Sequence, residues 1–202
     1  MLPSQYLEVN SYPTIKYVCE KQVDMLFNDI RCLLKAPLPG CSVGFNLTIA
    51  TMILNLLSGF SRRFYRPSGN PTDSERFKNM ITIFLPWDNS GVDIDTCADV
   101  LYSAVRNPLI HELGIKGDKK VVIYKSGKLS DAEIKELEDS LIKPSWLPKI
   151  IIKMPYDKFT SEWMISVGAL YWGVHRLLHN LLANSEHAPR AEARLKKIIK
   201  SI

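Results

Sequence analysis

The spacing of apolar residues along the chain predicts a fold that is mostly α-helical. A first helix is predicted over residues 13–35 and a second over 42–65, because apolar side chains recur in both at intervals of three and four. Pro13 suits the first position of a helix, and the turn APLPG separates the two helices. These two helices are expected to pack together in a bundle.

The second of these helices lies in a segment, Ala36 to Ser61, that contains no charged residue and is long enough to raise the question of a membrane span. At about 100° per residue, however, its polar side chains fall on one narrow strip, and apolar side chains cover most of the remainder. This pattern predicts the central helix of a soluble bundle, not a membrane segment. The strip, called the polar seam below, consists of Thr48, Thr51, Asn55, Ser58, Arg62 and Arg66.

Two more helices are predicted before the pattern changes. The third begins at a capping-box pair, Thr72 and Glu75, and ends before Pro86. The fourth begins at Asp93 or Asp95, either of which can accept a hydrogen bond at a helix start. Both helices belong to the predicted helical core.

Beyond the fourth helix, the β-branched runs KKVVIYK and KIIIKM flank a polar helix predicted over 131–141. We interpret residues 116–155 as a small strand–helix–strand insertion before the last long helix. The helical core then comprises residues 1–115 and 156–202, and the whole chain is expected to form one compact domain. The fold class is therefore mainly α with a small α/β insertion.

The last long helix is predicted over 161–183, and a basic amphipathic tail over 190–200 follows it. On this long helix His175 and His179 lie one turn apart, as two metal ligands could, but no third ligand is apparent, and no metal site is predicted. Packing of this face against the core or against a second subunit is the preferred interpretation. Apolar residues line the other face: Trp163, Val167, Leu170, Val174, Leu177, Leu178 and Leu181.

The amino-acid composition is consistent with the predicted fold and adds little to it. The chain has 202 residues and a formal net charge of +5, a modest excess that is compatible with a polyanion such as nucleic acid. Its four cysteines form no CxxC pair, and the N-terminus lacks the basic and apolar regions of a secretory signal. We therefore expect buried thiols in a reducing compartment and a cytoplasmic location.

The stretch YSAVRNPLIHELG, residues 102–114, places a cation, an amide, a proline and an imidazole where the fourth helix ends. Proline inside a helix costs about 3 kcal/mol, whereas asparagine before proline makes a good N-cap. The helix is therefore predicted to bend at Asn107 and to restart at Pro108. In a straight α-helix Arg106 and His111 would point about 140° apart, so the bend is needed for both to reach one ligand.

This stretch resembles the signature of the HEPN (higher-eukaryote and prokaryote nucleotide-binding) superfamily. In that signature an arginine is followed, after four to six residues, by a histidine, and a polar residue often stands directly after the arginine. Arg106, Asn107 and His111 match this pattern. The resemblance extends at the level of pattern over residues 13–114 and 160–184, and implies a HEPN-like helical bundle.

HEPN members with this signature are typically metal-independent endoribonucleases that need no cofactor. The resemblance implies RNA as the substrate, His111 as acid or base, Arg106 as phosphate clamp and Asn107 as the residue that orients this pair or contacts the phosphate. It also implies a homodimer with the site on the two-fold axis. Such domains are common in toxin–antitoxin, defence and stress systems, so an antitoxin protein is a further implied partner.

Three other residues are predicted to bind substrate beside this pocket. Arg62 and Arg66 could hold RNA phosphates, although cations also favour a helix C-terminus for electrostatic reasons alone. His175 could line the same cleft, although a buried face of the last helix would equally explain it.

The motif itself has a purely structural alternative, in which Arg106 pairs with a surface carboxylate, Asn107 caps a helix and His111 is an ordinary, partly buried histidine. At the level of function, two alternatives to a nuclease stay open. One is a non-catalytic helical module that binds a nucleotide or a protein. The other is an adaptor that uses the insertion as its interaction surface.

Overall fold

The computed structural model describes residues 2–6, 12–35, 42–87, 92–107, 121–124, 150–153 and 163–200. These parts of the chain are mainly helical, which confirms the predicted class. A short 3-10 turn, Pro3–Tyr6, comes first. The helices are α1 (Pro13–Val18), α2 (Asp24–Lys35), α3 (Ser42–Arg63), α4 (Asp73–Phe84), α5 (Ile94–Asp99), α6 (Val167–Ala183) and α7 (His187–Lys200), and the strands are β1 (Val121–Tyr124), β2 (Ile151–Lys153) and β3 (Trp163–Ser166).

Two stretches of helix have π-helical winding, in which a backbone N–H bonds to the carbonyl five residues before it. The first π segment, Cys19–Val23, joins α1 to α2, so the helix predicted over 13–35 is confirmed as one continuous element. The second π segment, Val100–Arg106, prolongs α5. The second segment carries the arginine of the sequence motif, and π winding within helices is frequent at functional sites.

Helix α3 is the central element and packs against α2, α4, α6, α7 and β1. Its polar seam is confirmed, because Thr48, Asn55 and Arg62 are exposed while most apolar side chains of α3 are buried. The Ser58 hydroxyl on the seam donates to the carbonyl of Leu54 at 2.8 Å. Among the helices of the described ranges, none combines the length and the apolar character that a membrane crossing requires.

The predicted starts of the third and fourth helices are confirmed. At α4 the Thr72 hydroxyl accepts from the N–H of Glu75 at 3.3 Å, and the Glu75 carboxylate accepts from the N–H of Thr72 at 2.8 Å. At α5 the carboxylate of Asp93 accepts from the N–H of Thr96 at 2.9 Å, which selects Asp93 over Asp95 as the cap. Both starts follow from short-range hydrogen bonding that is visible in the sequence.

The sequence pattern predicts helix for residues 163–166, and this prediction is wrong. They form β3, which lies between β1, to which it is parallel, and β2, to which it is antiparallel. Spacing could not separate strand from helix here, because the apolar residues of β3 run directly into the apolar repeat of α6. The Ser166 hydroxyl ends the strand and caps α6 by accepting from the N–H of Ala169 at 3.2 Å.

The strands predicted on either side of the insertion are present as β1 and β2, whereas the helix predicted over 131–141 lies outside the described residues. Ile123, Ile151 and Ile165 from the three strands belong to the same buried cluster as the helices. The Asn46 amide of α3 also donates to the Ile123 carbonyl at 3.3 Å. The sheet is thus attached to the helical core through β3 and α3.

Buried cysteines are only partly confirmed. Cys19 and Cys97 are buried, but Cys32 is exposed on α2, and Cys41 lies outside the described residues. Burial, followed by the nearby carboxylates of Asp24 and Glu20, raises the pKa of Cys19 to about 12. Its thiol therefore stays protonated and unreactive at neutral pH.

Two helical glycines make a matched test of the packing. A Cβ added at Gly59 on α3 would meet no atom within 4 Å, whereas one at Gly173 on α6 would lie 2.8 Å from Cδ1 of Ile150. We expect Gly59→Ala to raise the free energy of unfolding by about 0.5–1 kcal/mol through reduced backbone entropy. At Gly173→Ala the buried side-chain ends of Ile150 and Leu85 must shift to admit the new methyl group, so this substitution should stabilise the protein less than Gly59→Ala. Urea denaturation measures both, and equal stabilisation by the two substitutions would contradict the described packing.

Candidate functional site

Arg106 ends the second π segment and lies against the polar seam of α3. Its Nε donates to the hydroxyl of Ser58 at 3.3 Å, and its Nη1 donates to Oδ1 of Asn107 at 2.7 Å. Both contacts are only partly buried, so the guanidinium group keeps a solvent-facing side. These bonds fix the direction of the side chain and leave other N–H donors available to a ligand.

The ring of Tyr102, four residues before Arg106, supports the guanidinium from one side. The Cζ atom of Arg106 lies 5.2 Å from the ring centroid, and Nζ of Lys78 lies 5.5 Å from it. Phe77 holds the ring in place at a centroid distance of 5.3 Å. One aromatic ring therefore positions two cations through cation–π contacts.

These two cations differ in how their charge is balanced. Lys78 donates to the carboxylate of Asp99 at 2.7 Å, which also accepts from Ser103 at 3.1 Å. Arg106 forms no ion pair with a carboxylate of the described residues, since its partners Ser58, Asn107 and Tyr102 are neutral. The expectation of a surface ion pair, which the structural alternative required, is therefore not met within the described ranges. An oriented guanidinium with neutral partners is suited to bind an anion.

The predicted cap at Asn107 is wrong. An N-cap residue has extended dihedral angles, but the backbone of Asn107 is right-handed helical, with φ −64° and ψ −50°. Its N–H donates to the carbonyl of Tyr102, in the π pattern. The departure from α-helical winding thus comes before Asn107, over Val100–Arg106. Pro108 and His111 lie outside the described residues, so the meeting of Arg106 with His111 stays a prediction.

Arg62 and Arg66 do not join Arg106 through any described contact. Arg62 lies one turn beyond Ser58 on the seam, and its Nη2 pairs with Asp73 at 2.6 Å. Arg66 donates through Nη2 to the carbonyls of Arg62 and Arg63, the last of α3. The contacts of Arg66 are therefore those of a cation at a helix C-terminus, which was the alternative to phosphate binding.

His175 is not at the surface, so its predicted contact with substrate is wrong. Its side chain is 1% exposed and its ring centroid lies 4.0 Å from that of Phe27 and 5.3 Å from that of Trp172. Burial, followed by the positive charges of the N-terminus and Arg31, lowers the pKa of His175 well below its usual value. The ring is thus neutral at physiological pH and packs in the core, in agreement with the alternative of a buried face of the last helix.

A groove of about 270 Å³ opens on a different side of α3, beside the first π segment. Its walls are mostly apolar, with Gln22, Asn55 and Arg63 as the polar exceptions. Arg63 is itself directed to Gln22, at 3.4 Å. The groove shares Asn55 with the polar seam, but neither Ser58 nor Arg106 is among its lining residues.

Of the three residues that orient Arg106, the motif includes Asn107 but neither Tyr102 nor Ser58. Tyr102 could have been found from its spacing, because residues four apart share a helix face. Ser58 is part of the predicted seam, but no local signal shows that the seam faces the end of the fourth helix. Only the packing of α3 and the second π segment in space reveals that contact.

Comparison with known proteins adds no assignment: no family model matches the chain, and neither does any curated protein or solved structure. The site is therefore interpreted from its own residues and from the resemblance of its motif.

Proposed function

We propose that the protein is a metal-independent endoribonuclease of the HEPN type, with Arg106 as the phosphate clamp and His111 as acid or base. The observation that carries the proposal is the guanidinium of Arg106, which is oriented by Ser58, Asn107 and Tyr102 without a described carboxylate partner.

The chemistry that these residue types support is cleavage of RNA by its own ribose. The 2′-hydroxyl gives its proton to a base and attacks the adjacent phosphorus, the bond from phosphorus to the 5′-oxygen breaks, and that oxygen takes up a proton. The products are a 2′,3′-cyclic phosphate and a 5′-hydroxyl. Histidine is the residue type whose unperturbed side chain changes charge near neutrality, so His111 could serve either proton transfer, while Arg106 would stabilise the charge on the phosphate oxygens.

The proposal includes a homodimer. One histidine in each chain supplies either the base or the acid, but not both in the same turnover. A two-fold axis near Arg106 would bring a second histidine and a second arginine to the same phosphodiester. Asn107, which already holds Nη1 of Arg106, would keep the clamp in register at this interface.

A wild-type experiment tests the reaction class without any substitution. Single-stranded RNA incubated with the protein in excess EDTA should be cleaved, and mass spectrometry of the fragments should show 2′,3′-cyclic phosphate and 5′-hydroxyl ends. A matched RNA with one 2′-deoxyribose at the scissile nucleotide should resist cleavage at that position, because it lacks the nucleophile.

Two outcomes would oppose the proposal. Cleavage that continues at the 2′-deoxy position would show that the ribose is not the nucleophile. Absence of cleavage, together with a rise in melting temperature on addition of nucleotide, would favour the non-catalytic binding module.

A further inference from the structure

A second group of cations lies where the end of α3 meets α4 and α7. We call it the arginine cluster and define it by Arg62, Arg66, Arg76, Arg190 and Arg194. Arg190 Nη1 donates to the carbonyl of Arg66 at 3.1 Å, and the N–H of Arg66 donates to Nδ1 of His187 at 3.1 Å. These bonds join the start of α7 to the end of α3, so arginines distant in sequence are brought together.

Carboxylates balance only part of this charge. Asp73 is shared between Arg62, at 2.6 Å, and Arg76, at 3.4 Å, and Glu186 pairs with Arg190 at 2.8 Å. Arg194 has no ion pair with any residue in the described parts of the chain. Of the neighbouring acids, Glu75 is engaged by Thr72 and Glu192 by α1 and Lys196. Five guanidinium groups thus face two carboxylates.

Arg66 shows the effect of this imbalance most clearly. Its Nε atom is buried and has no hydrogen-bond partner in the described structure. Burial, followed by the like charges of Arg194 and Arg76, lowers the pKa of Arg66 to about 10. Neighbouring cations that destabilise one another in this way are stabilised by a bound anion.

We infer that the arginine cluster binds the phosphate backbone of single-stranded RNA, as an extension of the site at Arg106. The polar seam connects the two places, since Ser58 contacts Arg106 and Arg62 follows one turn later, about 6 Å along α3. Five guanidinium groups, with Arg106 at Ser58 one helical turn away, suit a chain of phosphates better than one small anion. The identity of the ligand as RNA rests on the proposed function, whereas its negative charge follows from the cluster alone.

Arg194 offers the clearest test, because it is exposed and its replacement leaves no described ion-pair partner unsatisfied. A labelled 2′-O-methyl RNA, which lacks a free 2′-hydroxyl and so resists the proposed cleavage, is titrated by fluorescence anisotropy at several KCl concentrations in EDTA. Arg194→Gln should raise Kd about three- to tenfold and reduce the slope of log K against log salt by about 0.7, the value for one lost phosphate contact on a single strand.

Arg190→Gln is a second cluster variant with the same expectation, and Lys200→Gln is the matched control on the same helix, at about 120° around the helix from Arg194. Equal Kd values and salt slopes for the Arg194, Arg190 and Lys200 variants would overturn the inference. Inorganic phosphate is added as a competitor. If it displaces the 2′-O-methyl RNA completely without changing the slope of log K against log salt, the cluster binds a single anion and not an RNA backbone, and the inference is overturned.

The two proposals fail separately in these assays. Wild-type protein that binds the 2′-O-methyl RNA with the expected dependence on Arg194 but does not cleave ordinary RNA would leave the arginine cluster in place without the nuclease. Wild-type protein that cleaves ordinary RNA, but whose RNA binding does not depend on Arg194 or Arg190, would support the nuclease without the arginine cluster.

Discussion

Arg106→Ala is expected to lower the rate of RNA cleavage at saturating RNA by about 10²–10³-fold, the effect of removing one preorganised donor to a developing oxyanion. Arg106→Lys should restore only part of the rate, because lysine keeps the charge but not the planar fork that Ser58 and Asn107 hold. His111→Ala should lose about 10²–10⁴-fold. The measurement is the single-turnover rate with the RNA used in the metal-free assay.

The matched control is Arg63→Ala, which removes an exposed arginine of α3 that faces Gln22. It should cleave within about twofold of wild type, since the Arg63 side chain is directed to Gln22 and has no described contact with Ser58, Asn107 or Arg106. An Arg106→Ala protein that cleaves RNA at the wild-type rate would contradict the proposed nuclease function. Mixing the Arg106→Ala and His111→Ala proteins should restore some activity if sites form between two chains, and none if each chain works alone.

Glu192→Ala is expected to lower the free energy of unfolding by about 2–4 kcal/mol, because two charge-assisted hydrogen bonds are lost and two N–H groups of α1 are left without a partner. The Glu192 carboxylate is nearly buried on α7 and accepts from the N–H of Thr14 at 3.0 Å and of Ile15 at 2.8 Å. It thereby caps a helix 178 residues earlier in the chain. Urea denaturation followed by circular dichroism measures the effect.

Glu186→Ala is the control for this prediction, because Glu186 pairs with Arg190 on the exposed side of the same helix region. It should change stability by less than about 1 kcal/mol. A Glu192→Ala protein as stable as Glu186→Ala would show that the long-range cap contributes nothing.

The pH dependence gives an independent check of the same cap. Burial alone would raise the pKa of Glu192, but hydrogen bonds from Thr14, Ile15 and Lys196 outweigh it, and the pKa is lowered. The contribution is therefore fully present above the unfolded pKa of about 4.5 and is lost as the pH falls through the folded value. The stability difference between wild type and Glu192→Gln should shrink in that acidic window.

Most of the helical framework could be predicted because its determinants are local. The capping box at Thr72, the cap at Asp93 and the seam of α3 each depend on residues within a few positions of one another, and all three are present. Strand β3 could not be predicted in this way. Its apolar residues fit both a strand and the start of α6, and only pairing with β1 and β2 decides between them.

The surroundings of the site depend on contacts that leave no local signal. The side of α6 that carries His175 is buried against Phe27 of α2, so a histidine that looked available is enclosed by aromatic rings. Arg106 was singled out by its motif, yet its orientation depends on Ser58, which lies 48 residues earlier. The π winding before Asn107 is likewise absent from the apolar pattern, because that pattern is read at α-helical spacing.

The cap that Glu192 places on α1 also bears on how the molecule is made. A ribosome releases α1 long before it releases α7, so the first helix must wait for nearly the whole described chain before its N–H groups at Thr14 and Ile15 find their acceptor. Contacts of such wide sequence separation slow folding and leave early segments exposed during translation. Nascent chains halted before residue 192 should therefore hold α1 loosely and be digested there by protease, whereas the released protein resists.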